Sequence, residues 1–428
     1  MPRTLHTYAL TVLGCKVNQY DARQIAALLE AFGLRRVEPG ERADLAVTHT
    51  CGVTAVAAQK SRQAARKLHR LHENPVVLLT GCAADDELTL LPNLDPLRVP
   101  AGPQWLDALA DRLRALGLVR IDAGGGNAFP VSDFGNHARA FLKVQDGCDI
   151  GCAYCIIPRL RKAPRDKPLE AALEEARNLL RAGYREIVVA GVSVGLYGRA
   201  GGPPLAQLLR RIADLPGAER VRLSSLHPAE LTDELLDVWA ARPNVMPHLH
   251  LSLQSGADAV LHAMRRNYDV AEYLAAVERA RAALDRPTFT TDVIVGFPGE
   301  TEALFSETLE FCRRIGFLKI HVFPYSPRPQ TPAAALPDRI PGQIAAERAA
   351  RLRALGNTLA ERVHREQLGR TLRVLTERID AGIASGYDER YVPCRFPADA
   401  ALRQGRIVPV LAEAADADGA TGTAEVLE

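Results

Sequence analysis

The middle of the chain repeats one pattern six times, and this repetition limits the folds that the chain can adopt. Strand-like runs lie at 138–145, 186–192, 220–226, 248–256, 288–296 and 319–325. Helical stretches separate them, near 168–182, 203–214, 230–240, 270–284 and 301–315. Alternating strands and helices predict a parallel sheet covered by helices. Six units predict an open, partial barrel, in which functional loops follow the carboxyl ends of the strands.

A cysteine triplet directly follows the first of these strands. Cys148, Cys152 and Cys155 have CxxxCxxC spacing, and Tyr154 precedes the last thiol. Three thiolates can hold three irons of a cubane cluster and leave the fourth iron free to bind another molecule. A structural zinc site normally has a fourth Cys or His nearby, whereas the apolar run 156–158 follows this triplet. The spacing therefore favours an iron–sulfur cluster with an open iron over structural zinc.

The first third of the chain carries a second group of three cysteines. Strand-like runs at 7–13, 44–48 and 76–80 are followed by Cys15, Cys51 and Cys82. Parallel strands bring the loops at their carboxyl ends to one edge of the sheet, so these thiols are expected to converge. Simple burial is the alternative for each cysteine, since free Cys is often buried. Three thiols at equivalent positions favour a second metal cluster, again with no evident fourth ligand.

These motifs resemble a known family. The CxxxCxΦC triplet, with Φ aromatic, is similar to the signature of radical S-adenosylmethionine (SAM) enzymes, and Ile-Ile-Pro at 156–158 resembles their methylthiotransferase branch. Residues 13–20 (LGCKVNQY), 50–54 (TCGVT) and 60–63 (KSRQ) resemble the subgroup that acts on threonylcarbamoyladenosine in tRNA. Two positions depart from the family pattern: His49 replaces the usual Asn, and Ala83-Ala84 replaces the usual Gln or Pro. These residues bear on the surroundings that tune the auxiliary cluster and on the assignment to the subgroup.

The resemblance covers residues 5 to about 412 and implies three domains. They are a Rossmann-like methylthiotransferase domain (5–120), a radical SAM (β/α)6 partial barrel (132–365) and a small β-barrel of the RNA-binding TRAM type (366–412). The fold class is α/β with this terminal barrel, for which strand-like runs at 371–379, 390–396 and 406–412 predict antiparallel strands. The glycine run near 124–127 is the expected hinge. Residues 413–428 are rich in Ala, Gly and Asp and are expected to be disordered.

The resemblance also implies ligands for two [4Fe-4S] clusters. An auxiliary cluster is expected on Cys15, Cys51 and Cys82, and a catalytic, SAM-binding cluster on Cys148, Cys152 and Cys155. The residues that match SAM-binding stretches of the family are Tyr154, Gly191, Ser193, Ser224, Gln254 and Gly296. For the polar residues at strand ends, loop capping without a ligand is the alternative.

Basic side chains beside the triplet and on the terminal barrel predict contact with RNA. The candidates are Arg159, Arg161, Lys162, Arg165, Arg373 and Arg395. Charged faces that are merely solvated are the alternative, because most exposed charges have no partner. The total charge does not decide the question, since 53 Lys and Arg stand against 51 Asp and Glu.

The activity implied by the resemblance is insertion of sulfur and a methyl group at C2 of N6-threonylcarbamoyladenosine, at position 37 beside the tRNA anticodon. The C–H bond at C2 is unreactive, so the family uses SAM as the source of a 5′-deoxyadenosyl radical. Two alternatives within the family are N6-isopentenyladenosine of tRNA and a ribosomal-protein aspartate. A non-catalytic iron–sulfur or zinc-stabilised RNA-binding protein is the alternative from another class.

Electron and sulfur donors are further partners that the sequence does not identify. No run of 18 apolar residues exists, so no membrane contact is expected. The first 16 residues lack the apolar core of a secretory leader, and we therefore expect a cytoplasmic protein with reduced thiols.

Overall fold

The computed structural model of the protein describes residues 5–38, 40–85, 91, 94–119, 131, 133–135 and 137–425. The chain divides into two compact units. The first unit comprises Met1–Asp133, Asp146–Arg165 and Ser326–Ala334, and the second comprises Phe134–Gln145, Asp166–Tyr325 and Ala335–Glu428. Both cysteine triplets therefore belong to the first unit. The expected hinge at 124–127 lies outside the described residues.

A five-stranded parallel sheet forms the amino-terminal part of the first unit. Its strands are β1 (Thr7–Val12), β2 (Arg35–Arg36), β3 (Leu45–Thr50), β4 (Val76–Gly81) and β5 (Leu97–Pro100). Their spatial order is β2-β1-β3-β4-β5, and the accompanying helices are α1 (Lys16–Ala31), α2 (Ala55–Leu71) and α3 (Trp105–Ala115). β3 is buried along its whole length because helices cover both faces of the sheet. The prediction of parallel strands with intervening helices is confirmed.

Alternate residues of β3 show how the two faces are filled. Val47 packs with Ile25 of α1 and Leu109 of α3, whereas the adjacent Ala46 packs with Leu68 of α2. Successive side chains of a strand point to opposite faces, so an apolar run without alternation suits a strand covered on both sides. This arrangement leaves the loops after the carboxyl ends of the strands as the places where polar and sulfur-containing side chains gather.

The second unit contains most of the open barrel. Four of its strands form one sheet in the order β7-β6-β8-β9, and three form another in the order β10-β11-β12. Their bounds are β6 (Ala140–Asp146), β7 (Arg165–Asp166), β8 (Glu186–Gly191), β9 (Arg220–Leu223), β10 (His248–His250), β11 (Thr288–Val295) and β12 (Lys319–Pro324). Parallel bridges at Val221–Val245 and Leu226–Leu251 join the two sheets. The six predicted strands thus run in chain order, which confirms the partial barrel.

Helices cover the outer face of this barrel. They are α5 (Leu169–Arg181), α6 (Leu205–Ala213), α7 (Asp233–Ala241), α8 (Asp258–Ala263), α9 (Val270–Ala283), α10 (Glu302–Ile315) and α11 (Gly342–Arg365). The short helix α4 (Ile157–Arg161) follows the cysteine triplet that ends at Cys155 and belongs to the first unit. Leu209, Val277 and Phe305 are fully buried and pack with the strands in one apolar core. No helix among the described residues is both long and apolar enough to cross a membrane.

A closed barrel of five strands ends the chain. The strands are β13 (Thr371–Asp380), β14 (Ile383–Tyr387), β15 (Pro393–Pro397), β16 (Ile407–Asp416) and β17 (Gly419–Ala424). Most neighbours are antiparallel, as predicted, but β15 and β17 are parallel. Two strands that the sequence did not predict, β14 and β17, consist mainly of small or weakly apolar residues.

The expected disorder of residues 413–428 is wrong for the part that the structure describes. Residues 413–425 complete β16 and form β17, and residues 426–428 lie outside the described range. β17 pairs with β16 from Val410–Ala424 to Asp416–Gly419, and this pairing closes the barrel. A side-chain carbon at Gly422 would lie 1.8 Å from the Leu411 carbonyl oxygen, so a small residue is required there. The composition of this segment suggests disorder, but backbone hydrogen bonds between β17 and β16 hold it in the barrel.

Within the second unit, the terminal barrel packs against the amino-terminal ends of β8 and β9. Arg220 donates to the carbonyl of Tyr387 (3.1 Å), and Arg222 donates to the carbonyl of Glu389 (2.9 Å). Both guanidinium groups are buried beside Glu186, whose carboxylate accepts from Arg222 at 2.8 Å and lies 3.5 Å from Arg220. This face is therefore held by buried charges, which are costly unless they remain paired.

Candidate cluster-binding sites

Cys15, Cys51 and Cys82 follow three neighbouring strands of the amino-terminal sheet. Cys15 precedes α1 and comes shortly after β1, while Cys51 and Cys82 come directly after β3 and β4. β3 lies between β1 and β4, so the three loops are adjacent. A side-chain carbon at Gly14, which has φ of +111°, would lie 3.2 Å from the Cys51 sulfur. The structure thus brings these thiols to one edge of the sheet.

Burial determines the acid–base behaviour of two of these thiols. Cys51 and Cys82 are buried, whereas Cys15 is exposed. Burial raises the pKa of Cys82 to about 11 and also raises the pKa of Cys51. A buried thiolate is stable only when positive charge compensates it, and metal coordination provides such charge. Three converging thiols of this kind fit an iron–sulfur cluster, and the exposed Cys15 leaves one side of the set open.

The side chain of Arg161 reaches this group of thiols. Its Nε donates to the Cys82 sulfur (3.0 Å), and its Nη2 donates to the side-chain oxygens of Asn18 (2.7 Å) and Asp21 (2.9 Å). Asn18 in turn donates to the carbonyls of Leu13 (2.6 Å) and Thr50 (2.9 Å). These bonds connect the loops that carry Cys15, Cys51 and Cys82.

The prediction that Arg161 contacts RNA is therefore wrong. Only 1% of its surface is exposed, and its donors are turned towards Cys82 and two carboxylates. The exposed residues of this basic segment are Arg159 and Lys162. The sequence does not distinguish Arg161 from Arg159, because the partners that bury it lie on α1 and in the loop after β4.

The loop with Cys148, Cys152 and Cys155 is closed by its own hydrogen bonds. Asp146 accepts from the Gly147 amide (2.8 Å) and from Arg161 Nη1 (2.9 Å), and its other oxygen lies 3.0 Å from Arg165. The amide of Cys148 donates to the Lys162 carbonyl (3.2 Å) and that of Cys155 to the Cys152 carbonyl (3.1 Å). Cys152 is buried, and Cys148, Cys155 and the predicted Tyr154 are half-buried. Three thiols in one loop of eight residues fit a second cluster.

Gly147 and Gly151 in this loop allow a matched test. Both have positive φ, +75° and +77°. A side-chain carbon at Gly147 would lie 2.2 Å from the Ala163 carbonyl oxygen, whereas one at Gly151 has 3.9 Å to its nearest neighbour. We expect Gly151→Ala to cost only the strain of a left-handed residue, about 1–2 kcal/mol, and Gly147→Ala to displace the backbone as well.

The measurement is iron and sulfide content after anaerobic reconstitution. Both substitutions are made in a chain that lacks Cys15, Cys51 and Cys82, so that only the cluster of this loop is counted. Gly147→Ala should lose most of the iron and Gly151→Ala should retain most of it. Equal iron contents in the two variants would contradict the conclusion that the close contact between Gly147 and the Ala163 carbonyl excludes a side chain at position 147.

The residues predicted to bind SAM follow strands of the second unit. Gly191 ends β8, and the Ser193 amide just beyond it donates to the side-chain oxygen of Gln145 (2.9 Å). The Ser193 hydroxyl donates to Glu230 (3.2 Å). Ser224, which follows β9, is 8% exposed, and its hydroxyl makes no hydrogen bond within the described part of the chain. A buried, unpaired hydroxyl is unfavourable unless a ligand bonds to it, so this position fits a bound polar molecule.

Gln254 and Gly296 lie beyond β10 and β11. Gln254 has φ of +67°, which is rare for a residue with a side chain, and both of its backbone polar groups bond to β11 residues. The Gly296 amide donates to Glu300 (2.9 Å), which forms a buried ion pair with Arg348 (2.7 Å). Gln145, Glu230 and Glu300 support these loops. No local sequence signal identifies these three residues, because their partners are set by the fold.

The basic residues other than Arg161 remain accessible to differing degrees. Arg159 and Lys162 are exposed and, together with Arg328, line a cavity of about 500 Å³ whose wall includes Cys82. Arg165 is half-buried beside Asp146. Arg373 and Arg395 are exposed on the terminal barrel, where Arg395 lies 3.5 Å from Asp416. Positive charge therefore lines one cavity beside the amino-terminal thiols and part of the terminal barrel surface.

Comparisons with known proteins agree with this arrangement. Residues 142–312 match the Radical SAM superfamily, and residues 7–98 match the Uncharacterized protein family UPF0004. The threonylcarbamoyladenosine tRNA methylthiotransferase MtaB of Chlamydia pneumoniae is 34% identical to this chain, and the alignment covers 97% of each of the two chains. MtaB of Thermotoga maritima is 35% identical over 92% of each chain. A tRNA-2-methylthio-N(6)-dimethylallyladenosine synthase of Mycobacterium bovis is 37% identical over 86% of this chain and 76% of its own length.

Solved structures show the same fold at low sequence identity. The radical S-adenosylmethionine methyltransferase TsrM of Kitasatospora setae, with cobalamin and a [4Fe-4S] cluster bound, aligns with a TM-score of 0.58 at 13% identity. The alignment covers 90% of this chain and 81% of TsrM. The sequence identity to the two MtaB proteins, over nearly their whole length, is stronger evidence of family membership than this structural similarity. The chain therefore belongs to the family of radical SAM tRNA methylthiotransferases, which are enzymes that use S-adenosylmethionine and two [4Fe-4S] clusters.

Proposed function

We propose that this enzyme inserts sulfur and a methyl group at C2 of N6-threonylcarbamoyladenosine at position 37 of tRNA, beside the anticodon. The observation that carries the proposal is the convergence of Cys15, Cys51 and Cys82 at one sheet edge, beside a cavity lined by basic residues. The two MtaB relatives support this substrate, because they match this chain over nearly all of both lengths.

The two cysteine triplets hold the two clusters in this proposal. Cys15, Cys51 and Cys82 bind the auxiliary cluster, and Cys148, Cys152 and Cys155 bind the cluster that activates SAM. In both sets three thiols are present, so one iron of each cluster is left for a non-protein ligand. When bound, the clusters and SAM supply the radical that removes the C2 hydrogen and the sulfur that replaces it.

The remaining residues bind and orient the substrates. Ser224 offers its unpaired hydroxyl to SAM, while Gly191, Ser193, Gln254 and Gly296 form the surrounding loop backbone. Tyr154, half-buried next to Cys155, is the further residue that contacts SAM in this proposal. Arg159 and Lys162 attract the phosphates of tRNA towards the cavity beside Cys82, since backbone phosphates dominate RNA affinity. Arg165, Arg373 and Arg395 contribute further positive charge.

The test is nucleoside mass spectrometry of tRNA from cells that lack the gene. We expect the 2-methylthio group to be missing from threonylcarbamoyladenosine and to return when the intact gene is supplied. The control is the 2-methylthio group on N6-isopentenyladenosine, which should not change. Loss from that nucleoside instead would favour the second candidate, which the M. bovis relative supports.

The purified enzyme separates the remaining alternatives. Under anaerobic reducing conditions it should convert SAM to 5′-deoxyadenosine and methylthiolate a modified anticodon stem-loop. Release of no 5′-deoxyadenosine would favour a non-catalytic iron–sulfur RNA-binding protein, and zinc without iron or sulfide would favour a zinc-stabilised RNA-binding module. Modification of a ribosomal-protein aspartate would identify the other substrate class.

We also propose a cytoplasmic location, where tRNA, an electron donor and a sulfur source are at hand.

A further inference from the structure

We propose that Arg161 is a positioning residue for the auxiliary cluster, and that its hydrogen bond to the Cys82 sulfur raises the reduction potential of that cluster. The inference rests on the assignment of Cys15, Cys51 and Cys82 made above. It goes beyond that assignment because Arg161 lies outside the amino-terminal sheet in sequence and holds no iron itself. It is the last residue of α4, the short helix that follows the loop with Cys148, Cys152 and Cys155.

Hydrogen bonds from all three of its nitrogens fix the orientation of the Arg161 guanidinium group. Nε points at the Cys82 sulfur at 3.0 Å, Nη1 at Asp146 at 2.9 Å and Nη2 at Asp21 at 2.9 Å. Arginine presents its donors in one rigid plane, so bonds to two carboxylates determine where the third donor points. Asn18 adds a fourth acceptor at 2.7 Å. The carboxylates therefore aim Nε at the sulfur.

Burial makes this bond electrostatically strong. Arg161 and Asp21 are each 1% exposed and Asp146 is 6% exposed, so little water screens their charges. Hydrogen bonds to ligand sulfurs and nearby positive charge stabilise the more negative, reduced state of an iron–sulfur cluster. A donor held at Cys82 therefore favours reduction of the auxiliary cluster. A lysine at this position would keep the charge without the planar set of donors.

The same side chain also connects the two cysteine sets. Asp146 accepts from Arg161 and from the Gly147 amide at the start of the SAM cluster loop. Arg161 and Asp146 thus form a hydrogen-bonded connection between the Cys82 sulfur and the residue that begins this loop. All of these groups lie within the first unit.

The experiment measures the midpoint potential of the auxiliary cluster alone. The full chain with Cys148, Cys152 and Cys155 replaced by alanine is reconstituted anaerobically and titrated with reductant while the reduced cluster is followed by EPR. Arg161→Gln should make reduction at least tenfold less favourable, which is a fall of about 59 mV for one electron. Arg161→Lys should give a smaller fall. Arg114→Gln removes the same charge from the exposed last turn of α3, where Arg114 pairs with Asp111 away from the three thiols, and should leave the potential nearly unchanged.

Two outcomes overturn the proposal, and they are distinguishable. A full cluster content with an unchanged potential in Arg161→Gln overturns the role of Arg161 and leaves the cysteine assignment intact. A background chain that binds no cluster at all overturns the assignment and this proposal with it.

A spectroscopic test covers the case in which Arg161→Gln fails to fold or to hold a cluster. The background chain is labelled with guanidino-15N arginine, and the reduced cluster is examined by pulsed EPR. A 15N coupling that is present with Arg161 and lost in Arg161→Lys supports the hydrogen bond. Its absence in the labelled background chain contradicts the proposal.

Discussion

Replacing Cys15, Cys51 and Cys82 together with alanine should abolish methylthiolation of tRNA while cleavage of SAM continues. The three thiols lie at one sheet edge and are proposed to hold the cluster that supplies sulfur. The other triplet lies in a loop closed by its own bonds to Asp146 and Lys162, so its cluster should form without them. Iron content should fall from roughly eight to roughly four atoms per chain.

The measurement follows two products in the same anaerobic reaction. Methylthiolated nucleoside should fall below detection, and 5′-deoxyadenosine should still accumulate. Cys312→Ala and Cys394→Ala are the controls, because both cysteines are fully buried in α10 and β15 and lie in the second unit. They should retain both products. Continued sulfur insertion by the triple variant would contradict the role of the auxiliary cluster.

Removing the Glu186 carboxylate should destabilise the second unit by about 3–5 kcal/mol, since it leaves the buried Arg220 and Arg222 guanidinium groups without their carboxylate counter-charge. Glu186 is 1% exposed and lies 2.8 Å from Arg222, 3.5 Å from Arg220 and 3.8 Å from Arg139. Arg220 and Arg222 also bond to carbonyls of the terminal barrel. Glu186→Ala is therefore expected to loosen that barrel as well as β8 and β9.

Urea denaturation measures this effect most directly in a Trp105→Phe background. The chain has two tryptophans, so the fluorescence of the buried Trp239 then reports on the second unit. Glu219→Ala is the matched control, because Glu219 forms a partly exposed pair with Arg185. Pairs of that kind contribute about 0–1 kcal/mol. Similar losses of stability in the two variants would contradict the importance of the buried cluster.

The stability of this region should also depend on pH in a stated direction. Burial alone would raise the pKa of Glu186, but Arg222, Arg139 and Arg220 together hold that pKa below its ordinary value. A carboxylate with a lowered folded-state pKa contributes stability above its unfolded pKa. The contribution is lost as the pH falls through the lower, folded value. The difference in unfolding free energy between the protein and Glu186→Gln should therefore shrink only on acidification below about pH 4.5.

The sequence predicted the parts of this fold that depend on local pattern. The strands ending near Cys51 and Cys82 begin with short apolar runs at 45–47 and 76–79, and these runs identify them without knowledge of the tertiary structure. The six strands of the open barrel were recognisable from their regular alternation with helical stretches. Parallel strands place their carboxyl ends together, so the convergence of three cysteines followed from topology.

The surroundings of Arg161 and the end of the terminal barrel could not be predicted in this way. Arg161 is surrounded by Asn18 and Asp21, which precede it by more than 100 residues, so no local signal separates it from the exposed Arg159. β17 has Gly or Ala at four of its six positions, and both residue types are depleted in strands. It is a strand because β16 and β15 offer it backbone partners.

The position of the terminal barrel on the amino-terminal ends of β8 and β9 sets a minimum size for the RNA. Ser193 and Ser224 lie beyond the opposite ends of the same strands, and six residues of β8 separate the two ends by about 20 Å. An RNA that touches Arg373 while presenting a base near Ser224 has to reach around the barrel wall over at least that length. A free nucleoside is too short to do so, whereas a folded stem-loop is long enough.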